Sequence, residues 1–334
     1  MIERYLVVLW VTGRCNLNCK YCYAADNSAK CDMKPETAVS VLEKLKGYPL
    51  KIQFAGGEPL MNFSLVEQVC EYVHENALDA AFSLQTNGTL ITAETAKKLK
   101  RLGISVGVSL DGIPEINELT RGKTAEAVNG IKLLAAEGVT VGLNCVVTEY
   151  NVNELSRLVD FAFYLGNVGG IGLDLLRNAG RGKEVSRASA EQLQASVRKM
   201  HERTEKLYGL GGRKIAIREI EQAKKRLTEN KAVTDYCYAS CGRSAVVLPD
   251  GRIFPCGSLI KDGFCEGNAE SFSTAEMIRL KAKINDDCCE CKYNRICPKG
   301  CPSRSILDGG NELDCALLKA SFEIAERTFS ENLD

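Results

Sequence analysis

The chain has 334 residues, 45% of them hydrophobic, which is long for one ordinary domain and comfortable for a barrel with an appendage. Its 43 basic and 43 acidic residues cancel, so neither a basic nucleic-acid surface nor a membrane-binding face is expected. The apolar fraction also excludes an intrinsically disordered chain.

Cysteine is the unusual feature of the composition. The chain has sixteen cysteines but only two histidines. The longest apolar run, Tyr5–Val11, is too short to cross a bilayer, and no signal-peptide cleavage site follows it. Because an export signal is missing, disulfides are not expected. The composition predicts a cytoplasmic protein whose clustered cysteines bind iron or zinc.

Short apolar strands alternate with amphipathic helical stretches between residues 5 and 176. This alternation predicts a parallel sheet with helices outside, and six strands suit a partial (β/α)6 barrel of the TIM type rather than the closed eight. The predicted strands are Tyr5–Val11, Lys51–Ala55, Ala80–Gln85, Ile104–Leu110, Val139–Val147 and Gly170–Leu176. The predicted helices are Pro35–Lys46, Ser64–Glu75, Ala93–Leu102, Thr124–Glu137 and Asn153–Leu165.

One face of four predicted strands is small or polar. In the fourth strand Ser105, Gly107 and Ser109 alternate with apolar residues. The same face of the third, fifth and sixth strands carries Ser83, Gln85, Thr140, Gly142, Asn144, Gly172, Asp174 and Leu176. A filled barrel would need bulky branched residues there, so this face is predicted to line a cavity. Exposure of an open sheet to solvent is the alternative.

The pattern changes after residue 176. Ser189 and Gln192 have capping-box spacing and predict the start of a further helix. From residue 236 onward cysteine, glycine and proline dominate and regular periodicity fades. We therefore predict a barrel over residues 1–208, a bridging segment over 209–235 and a small Cys-rich domain, held by metal, over 236–334.

The first chemical motif is a C-x3-C-x2-C loop formed by Cys15, Cys19 and Cys22, directly after the first strand. Three thiolates can hold a [4Fe–4S] cluster that needs four ligands, so one iron stays open for another ligand. A zinc knuckle without its fourth ligand is the alternative.

Further motifs follow the next strands, at the barrel end where such folds place their chemistry. They are Gly56-Gly57-Glu58-Pro59, Thr86-Asn87-Gly88 and Ser109-Leu110-Asp111-Gly112, with Arg121 shortly after the last. Taken singly, the first two are also compatible with plain turns, and Arg121 with a solvated surface arginine.

A second cysteine series fills the C-terminal segment. Cys241 is followed by Cys256, then by a C-x2-C-x5-C-x3-C series that begins at Cys288 and ends at Cys301, and finally by Cys315. Two structural zinc ribbons are the alternative reading of this series.

Together the motifs resemble the radical SAM superfamily, and the C-terminal series resembles its SPASM domain. The resemblance implies a catalytic [4Fe–4S] cluster that binds S-adenosyl-L-methionine (SAM). It also implies reductive cleavage of SAM to a 5′-deoxyadenosyl radical, which abstracts hydrogen from the substrate. The implied SAM contacts are Tyr21 to adenine, Gly56, Gly57 and Glu58 to the methionine amino group, Ser109 and Asp111 to the ribose, and Arg121 to the carboxylate.

The SPASM resemblance implies two auxiliary [4Fe–4S] clusters, hence three in all. The implied ligands are Cys237, Cys241, Cys256 and Cys301 for the first, and Cys288, Cys291, Cys297 and Cys315 for the second. Cys237 lies outside the seven-cysteine pattern of the family. If Cys237 does not bind, the first auxiliary cluster has an open iron that a substrate could occupy.

The resemblance also implies an oxidoreductase-type maturase for a ribosomally made peptide or protein. Its reaction would be a crosslink, a thioether, a decarboxylation or a side-chain oxidation, with an electron donor such as a ferredoxin or flavodoxin. Sulfatase maturation is not expected, because Gly257 and Ala24 stand where those maturases have aspartate and tyrosine. Since the chain starts just before its first strand, a preceding leader-recognition domain is not expected either.

Asp174, on the cavity face of the sixth strand, is the candidate catalytic residue, as a proton acceptor or a substrate contact. Arg177 and Arg181 are candidates for holding an acidic peptide. Three alternatives stay open: modification of a tetrapyrrole or other small-molecule side chain, an iron–sulfur electron-transfer protein without turnover, and a zinc-stabilised binding module.

Overall fold

A computed structural model describes residues 4–25, 30–261, 263–274, 277–284 and 286–330. Within these ranges nine strands form one sheet in the order β7-β6-β5-β4-β3-β2-β1-β8-β9. The strands are β1 Tyr5–Thr12, β2 Leu50–Gly56, β3 Ala80–Thr86, β4 Ser105–Ser109, β5 Val141–Val147, β6 Val168–Leu175, β7 Ala216–Ile217, β8 Ser244–Val247 and β9 Ile253–Phe254. The helices are α1 Pro35–Lys44, α2 Phe63–Glu75, α3 Ala93–Arg101, α4 Pro114–Thr120, α5 Thr124–Ala136, α6 Leu155–Leu165, α7 Ala190–Gly209, α8 Arg218–Glu229, α9 Pro302–Asp308 and α10 Glu312–Ser330.

The predicted α/β barrel architecture is confirmed. Strands β1 to β7 pair in parallel in chain order, and helices follow most of them. All six strands predicted from the sequence are present, and the five helices predicted between them are present as well. No helix of the described residues is long and apolar enough to cross a membrane.

Side-chain alternation along β1 explains how the sheet is covered on both faces. Val7 and Leu9 are fully buried and pack in the main core with Val41 and Leu42 of α1. Trp10 points to the other face and packs with residues of the β8–β9 hairpin. Full burial of such side chains contributes roughly 1.5–3 kcal/mol each, and this holds the helices on the outer face of the barrel.

The segment predicted as a bridge contributes to the sheet. Its two-residue strand β7 pairs with β6, and α8 follows directly. The capping box of Ser189 and Gln192 is present at the start of α7, as the sequence predicts.

The C-terminal segment is attached to the barrel on two sides. Strand β8 pairs in parallel with β1, and the β8–β9 hairpin extends that edge of the sheet. The long helix α10 packs against α7 and α8. The expected loss of regular structure after residue 236 is wrong for residues 302–330, where α9 and α10 form. The predicted domain boundaries at 208 and 235 stay predictions.

Candidate functional site

The loop that carries Cys15, Cys19 and Cys22 leaves β1 and lies beside the Gly56–Pro59 motif. The amide of Gly57 donates to Thr12 O at 2.9 Å, and the amide of Glu58 donates to Arg14 O at 2.9 Å. A side chain at Gly57 would collide with the Arg14 carbonyl, so glycine is needed for this approach. Two motifs 40 residues apart in sequence are thereby fixed side by side, as the strand ends predict.

The three sulfurs of the loop interact with one another. Their charges are close enough to be coupled, and Arg121 is within range of both Cys15 and Cys19. Burial raises the pKa of Cys15 and of Cys19, while the Arg121 guanidinium lowers it. A cation beside the loop therefore favours the thiolate form that iron requires.

A buried cluster of three side chains stands next to these sulfurs. Arg121 Nη1 donates to Tyr21 Oη at 2.6 Å, and the Tyr21 hydroxyl donates to Asp111 Oδ2. Asp111 also accepts from Thr120 Oγ1 and from the amide of Val146, each at 3.0 Å. Its carboxylate is fully buried and already has several donors from the chain. Asp111 therefore joins Tyr21 to Thr120 and Val146, and Arg121 Nη1 lies 3.9 Å from its Oδ1.

Glu58, like Asp111, is a buried carboxylate that accepts several hydrogen bonds from the chain. Its carboxylate is buried and accepts from Thr86 Oγ1 at 2.6 Å and from the amide of Asn87 at 2.7 Å. Burial raises the pKa of Glu58, and these hydrogen bonds lower it. The carboxylate joins the ends of β2 and β3.

The segment Thr86–Gly88, for which the sequence left a turn or a site open, forms a turn, and its part in a site stays a prediction. Gly88 has a positive φ of 79°, as a turn requires. Asn87 Nδ2 donates to Asn16 Oδ1 at 2.9 Å, and this contact reaches the cysteine loop. Asn16 was not singled out by the sequence analysis, although its position inside the C-x3-C spacing was a usable signal.

The loop after β6 packs on the other side of the cysteine loop. Arg181 Nε donates to Cys19 O at 2.8 Å, and the Arg181 amide donates to Cys22 O at 3.1 Å. Arg177 lies over the Tyr23 ring at 5.4 Å. Both arginines, predicted to hold an acidic peptide, thus have partners within the chain.

Asp174 lies between two arginines. Arg177 Nη1 is 2.6 Å from Asp174 Oδ2, and Arg304 Nη1 is 2.8 Å from Oδ1. Burial would raise the pKa of Asp174, but the two guanidinium groups lower it to about 2. Asp174 is therefore ionised at neutral pH and is a weak base.

The C-terminal cysteines divide into two groups by their mutual charge interactions. Cys237 interacts with Cys256 and Cys301. The second group is Cys288, Cys291, Cys297 and Cys315. The two ligand sets implied by the resemblance stay predictions.

Cys241 has polar and charged neighbours of its own. Its sulfur donates to Tyr238 O at 3.3 Å, and the charges that act on it are those of Asp235 and Arg243. The sequence analysis regarded Cys237 as the doubtful member of this set, and the binding of both Cys237 and Cys241 stays a prediction.

Part of the small and polar strand face lines a cavity of about 530 Å³, as predicted, but Asp174 and Leu176, expected on the same face, are not among its lining residues. Gly107, Gly142 and Gly172 form part of its wall, together with Gln85, Asn144 and the α8 residue Arg218. Gln85 Nε2 donates to Ser109 Oγ at 2.9 Å, so the cavity adjoins the predicted ribose contact at the end of β4.

Comparison with known proteins agrees with this arrangement. The family model described as the radical SAM superfamily matches residues 11–162. An uncharacterized protein of Methanocaldococcus jannaschii is 33% identical over 288 residues, which are 83% of this chain and 93% of the relative. The chain belongs to the radical SAM superfamily. It is a radical SAM enzyme, since its relatives with stated activities are enzymes.

Two such relatives act on different classes of molecule. The Fe-coproporphyrin III synthase of Methanosarcina barkeri is 36% identical over 215 residues, which are 59% of this chain and 53% of that enzyme. The cysteine-type anaerobic sulfatase-maturating enzyme of Clostridium perfringens is 26% identical over 360 residues, 96% of this chain and 95% of that enzyme.

The fold is shared along nearly the whole chain with a SPASM-type member of the superfamily. The solved structure of native anSMEcpe with bound AdoMet superposes with a TM-score of 0.82 at 23% identity. The match covers 98% of this chain and 99% of that chain. At this identity the likeness concerns the fold.

Proposed function

We propose that this radical SAM enzyme cleaves SAM reductively and abstracts hydrogen from a residue of a ribosomally made peptide or protein. The observation that carries the proposal is the convergence of the cysteine loop, the Gly56–Pro59 motif and Arg121 at one end of the barrel. When bound together, the [4Fe–4S] cluster and SAM would supply the radical chemistry.

Cys15, Cys19 and Cys22 would hold that cluster. Across the described ranges no group of three or more His, Cys, Asp or Glu side chains is arranged to hold a single metal ion. Three thiolates on one loop match a cluster with one open iron, whereas a zinc knuckle needs a fourth ligand. The Arg121 charge would stabilise the thiolates and the carboxylate of SAM.

The residues proposed for the SAM site have two kinds of role. The backbone of Gly56 and Gly57, the Tyr21 ring and the Ser109 hydroxyl would touch SAM directly. Glu58 and Asp111 are saturated by the chain's own donors, so their role would be to position the motifs around them.

We propose two auxiliary [4Fe–4S] clusters in the C-terminal segment. Cys288, Cys291, Cys297 and Cys315 would hold one. Cys237, Cys256 and Cys301 would provide the core of the other, with Cys241 as its fourth ligand after a local rotation of its side chain. An external one-electron donor such as a ferredoxin or flavodoxin would supply the electrons, in the cytoplasm, where thiols stay reduced.

Asp174 would act as a substrate contact. Its two arginine partners and its low pKa make a proton-acceptor role weak. The ionised carboxylate would instead fix Arg177 and Arg304 at the wall of the reaction chamber.

A tetrapyrrole side chain is the second candidate substrate. The 36% identity to the Fe-coproporphyrin III synthase favours it, although the shared region covers only 59% of this chain. Sulfatase maturation is less favoured, because a Cβ at Gly257 would lie 3.1 Å from Trp10 Cζ3 and the aspartate of that reaction would not fit without a shift.

The test combines metal analysis with a product assay on one anaerobically reconstituted sample. Three four-iron clusters predict about twelve irons per chain, with equal sulfide. We expect reductant-dependent 5′-deoxyadenosine from SAM in the same sample. Zinc with no deoxyadenosine would overturn the proposal, and about eight irons would contradict one auxiliary cluster.

A further inference from the structure

The barrel cavity contains open space next to Gly142. A Cβ added at Gly142 would meet no atom within 4 Å, so its face of β5 is open. On the strands on either side of β5, two polar side chains lie against glycines. Gln85 lies over Gly107, and the Arg218 guanidinium lies over Gly172, where any side chain would collide with them. Glycine at positions 107 and 172 therefore makes room for these two polar groups around the open space.

Three hydrogen bonds to other residues of the chain fix the Arg218 side chain in this position. Its Nη1 donates to Asn144 Oδ1 at 3.1 Å, and its Nη2 donates to Leu173 O at 2.9 Å. Its Nε donates to Glu219 Oε1 at 2.8 Å. The guanidinium has five N–H groups, so Nη1 has a second N–H for a ligand, and the side chain is 46% exposed.

The two cations at the cavity have carboxylate partners within the chain, Arg218 with Glu219 at 2.7 Å and Lys225 with Glu229 at 3.7 Å. Arg218 and Lys225 line the cavity, together with one carboxylate, that of Glu221. Lys224 Nζ lies 3.0 Å from Glu221 and offsets its charge. Glu219, the partner of Arg218, lies behind the guanidinium and does not line the cavity. A guanidinium that its hydrogen bonds preorganise, on the same cavity wall as an exposed ammonium, recognises a carboxylate through charge-assisted hydrogen bonds.

We propose that this cavity binds a carboxylate of the enzyme's substrate, through Arg218 and Lys225, with the rest of the substrate over Gly142. The proposal rests on the function proposed above, because Gln85 connects the cavity to Ser109 of the SAM site. An acidic side chain of a peptide and a propionate of a tetrapyrrole present the same group.

Binding is measured by equilibrium dialysis against the reconstituted chain with SAM. The probes are the peptide N-acetyl-Ala-Glu-Ala amide and coproporphyrin III. Each is paired with an uncharged counterpart, the Gln peptide and the porphyrin tetra-amide. We expect one acidic probe to bind at least about tenfold more tightly than its uncharged counterpart, the difference that one charge-assisted hydrogen bond makes. The probe that binds identifies the source of the carboxylate.

Variants separate the cavity from the fold. A Cβ at position 142 meets no atom within 4 Å, so Gly142→Leu extends a side chain into the open space and should weaken binding of the acidic probe more than about tenfold. Lys225→Gln should reduce the preference for the acid. Gly209→Leu is the matched control, since a Cβ there also meets no atom within 4 Å, and it should bind as the wild type does.

Two results overturn the inference: equal binding of acidic and uncharged probes, or unchanged binding by Gly142→Leu. Deoxyadenosine formation by the wild-type chain without any probe is measured in parallel. A chain that cleaves SAM but does not prefer the acids loses only the cavity assignment. A chain that does not cleave SAM loses the proposed function.

Discussion

Asp174 is held by two arginine neighbours, and these ion pairs make the stability of the fold depend on pH. Its folded-state pKa of about 2 lies below the unfolded value near 3.9. The ion pairs therefore stabilise the fold fully above pH ~4, and the stabilisation is lost as the pH falls towards 2.

We expect Asp174→Asn to lower the free energy of unfolding by about 2 kcal/mol at pH 7, because Arg177 loses its carboxylate partner. Urea midpoints should show a constant difference from wild type at neutral pH, which shrinks below about pH 4. Asp160→Asn, whose partner Arg203 is at 2.5 Å on an exposed surface, is the control and should cost under about 1 kcal/mol. A difference that does not change with pH would contradict this account.

The cysteines of the first auxiliary site should differ in importance. Cys237→Ser removes a sulfur that interacts with Cys256 and Cys301, so about four irons should be lost from each chain. Cys241→Ser should retain most of that iron, because the Cys241 sulfur donates to Tyr238 O and has to rotate before it can bind. Iron and sulfide analysis checks both variants, with Cys70→Ser, a buried helix thiol, as the control. Equal iron loss in the two variants would show that Cys241 is bound as firmly as Cys237.

At the scale of elements, the ends of β1 and β2 must approach closely for the cysteine loop to contact the Gly56–Pro59 motif. Gly57→Ala places a methyl group against the Arg14 carbonyl and pushes the cysteine loop away. We expect the rate of deoxyadenosine formation to fall roughly a hundredfold, since catalysis tolerates little displacement of bound groups. Gly310→Ala, where a Cβ meets no atom within 4 Å, should have the wild-type rate. An unchanged rate for Gly57→Ala would show that the loop positions are independent.

The elements that sequence predicted well are those with local signals. The six strands follow from alternation and apolar runs, and Cys15, Cys19 and Cys22 follow from spacing within one loop. The contacts of Asp174 with Arg304, 130 residues away, have no local signal. Strand β8 has only four residues, too few for periodicity, and its pairing with β1 depends on tertiary structure. The cavity was predictable because strand alternation fixes which side chains share a face.

The whole molecule is joined across a buried network of charges. Arg304 follows Cys301 closely, and its guanidinium contacts Asp174 of the barrel and Asp314 of α10. Its side chain is 5% exposed, and that of Asp314 is 4% exposed. The amide of Cys301 also donates to Asp314 Oδ1 at 2.9 Å. The barrel wall and a proposed cluster ligand therefore share one ion-pair network, which favours cooperative unfolding of both parts.

Arg304→Met tests this coupling. Removing Arg304 leaves the buried carboxylate of Asp314 without its cation, while Asp174 keeps Arg177, so the free energy of unfolding should fall by about 3–5 kcal/mol. Trp10, the only tryptophan, packs with the β8–β9 hairpin at the junction, and its fluorescence reports this contact. We expect the fluorescence and cluster-absorbance transitions in urea to shift together. Arg198→Met is the matched control, because its pair with Glu323 also joins α7 to α10 but is partly exposed, and it should cost at most about 1 kcal/mol. Separate transitions in Arg304→Met would show that the barrel and the C-terminal segment unfold independently.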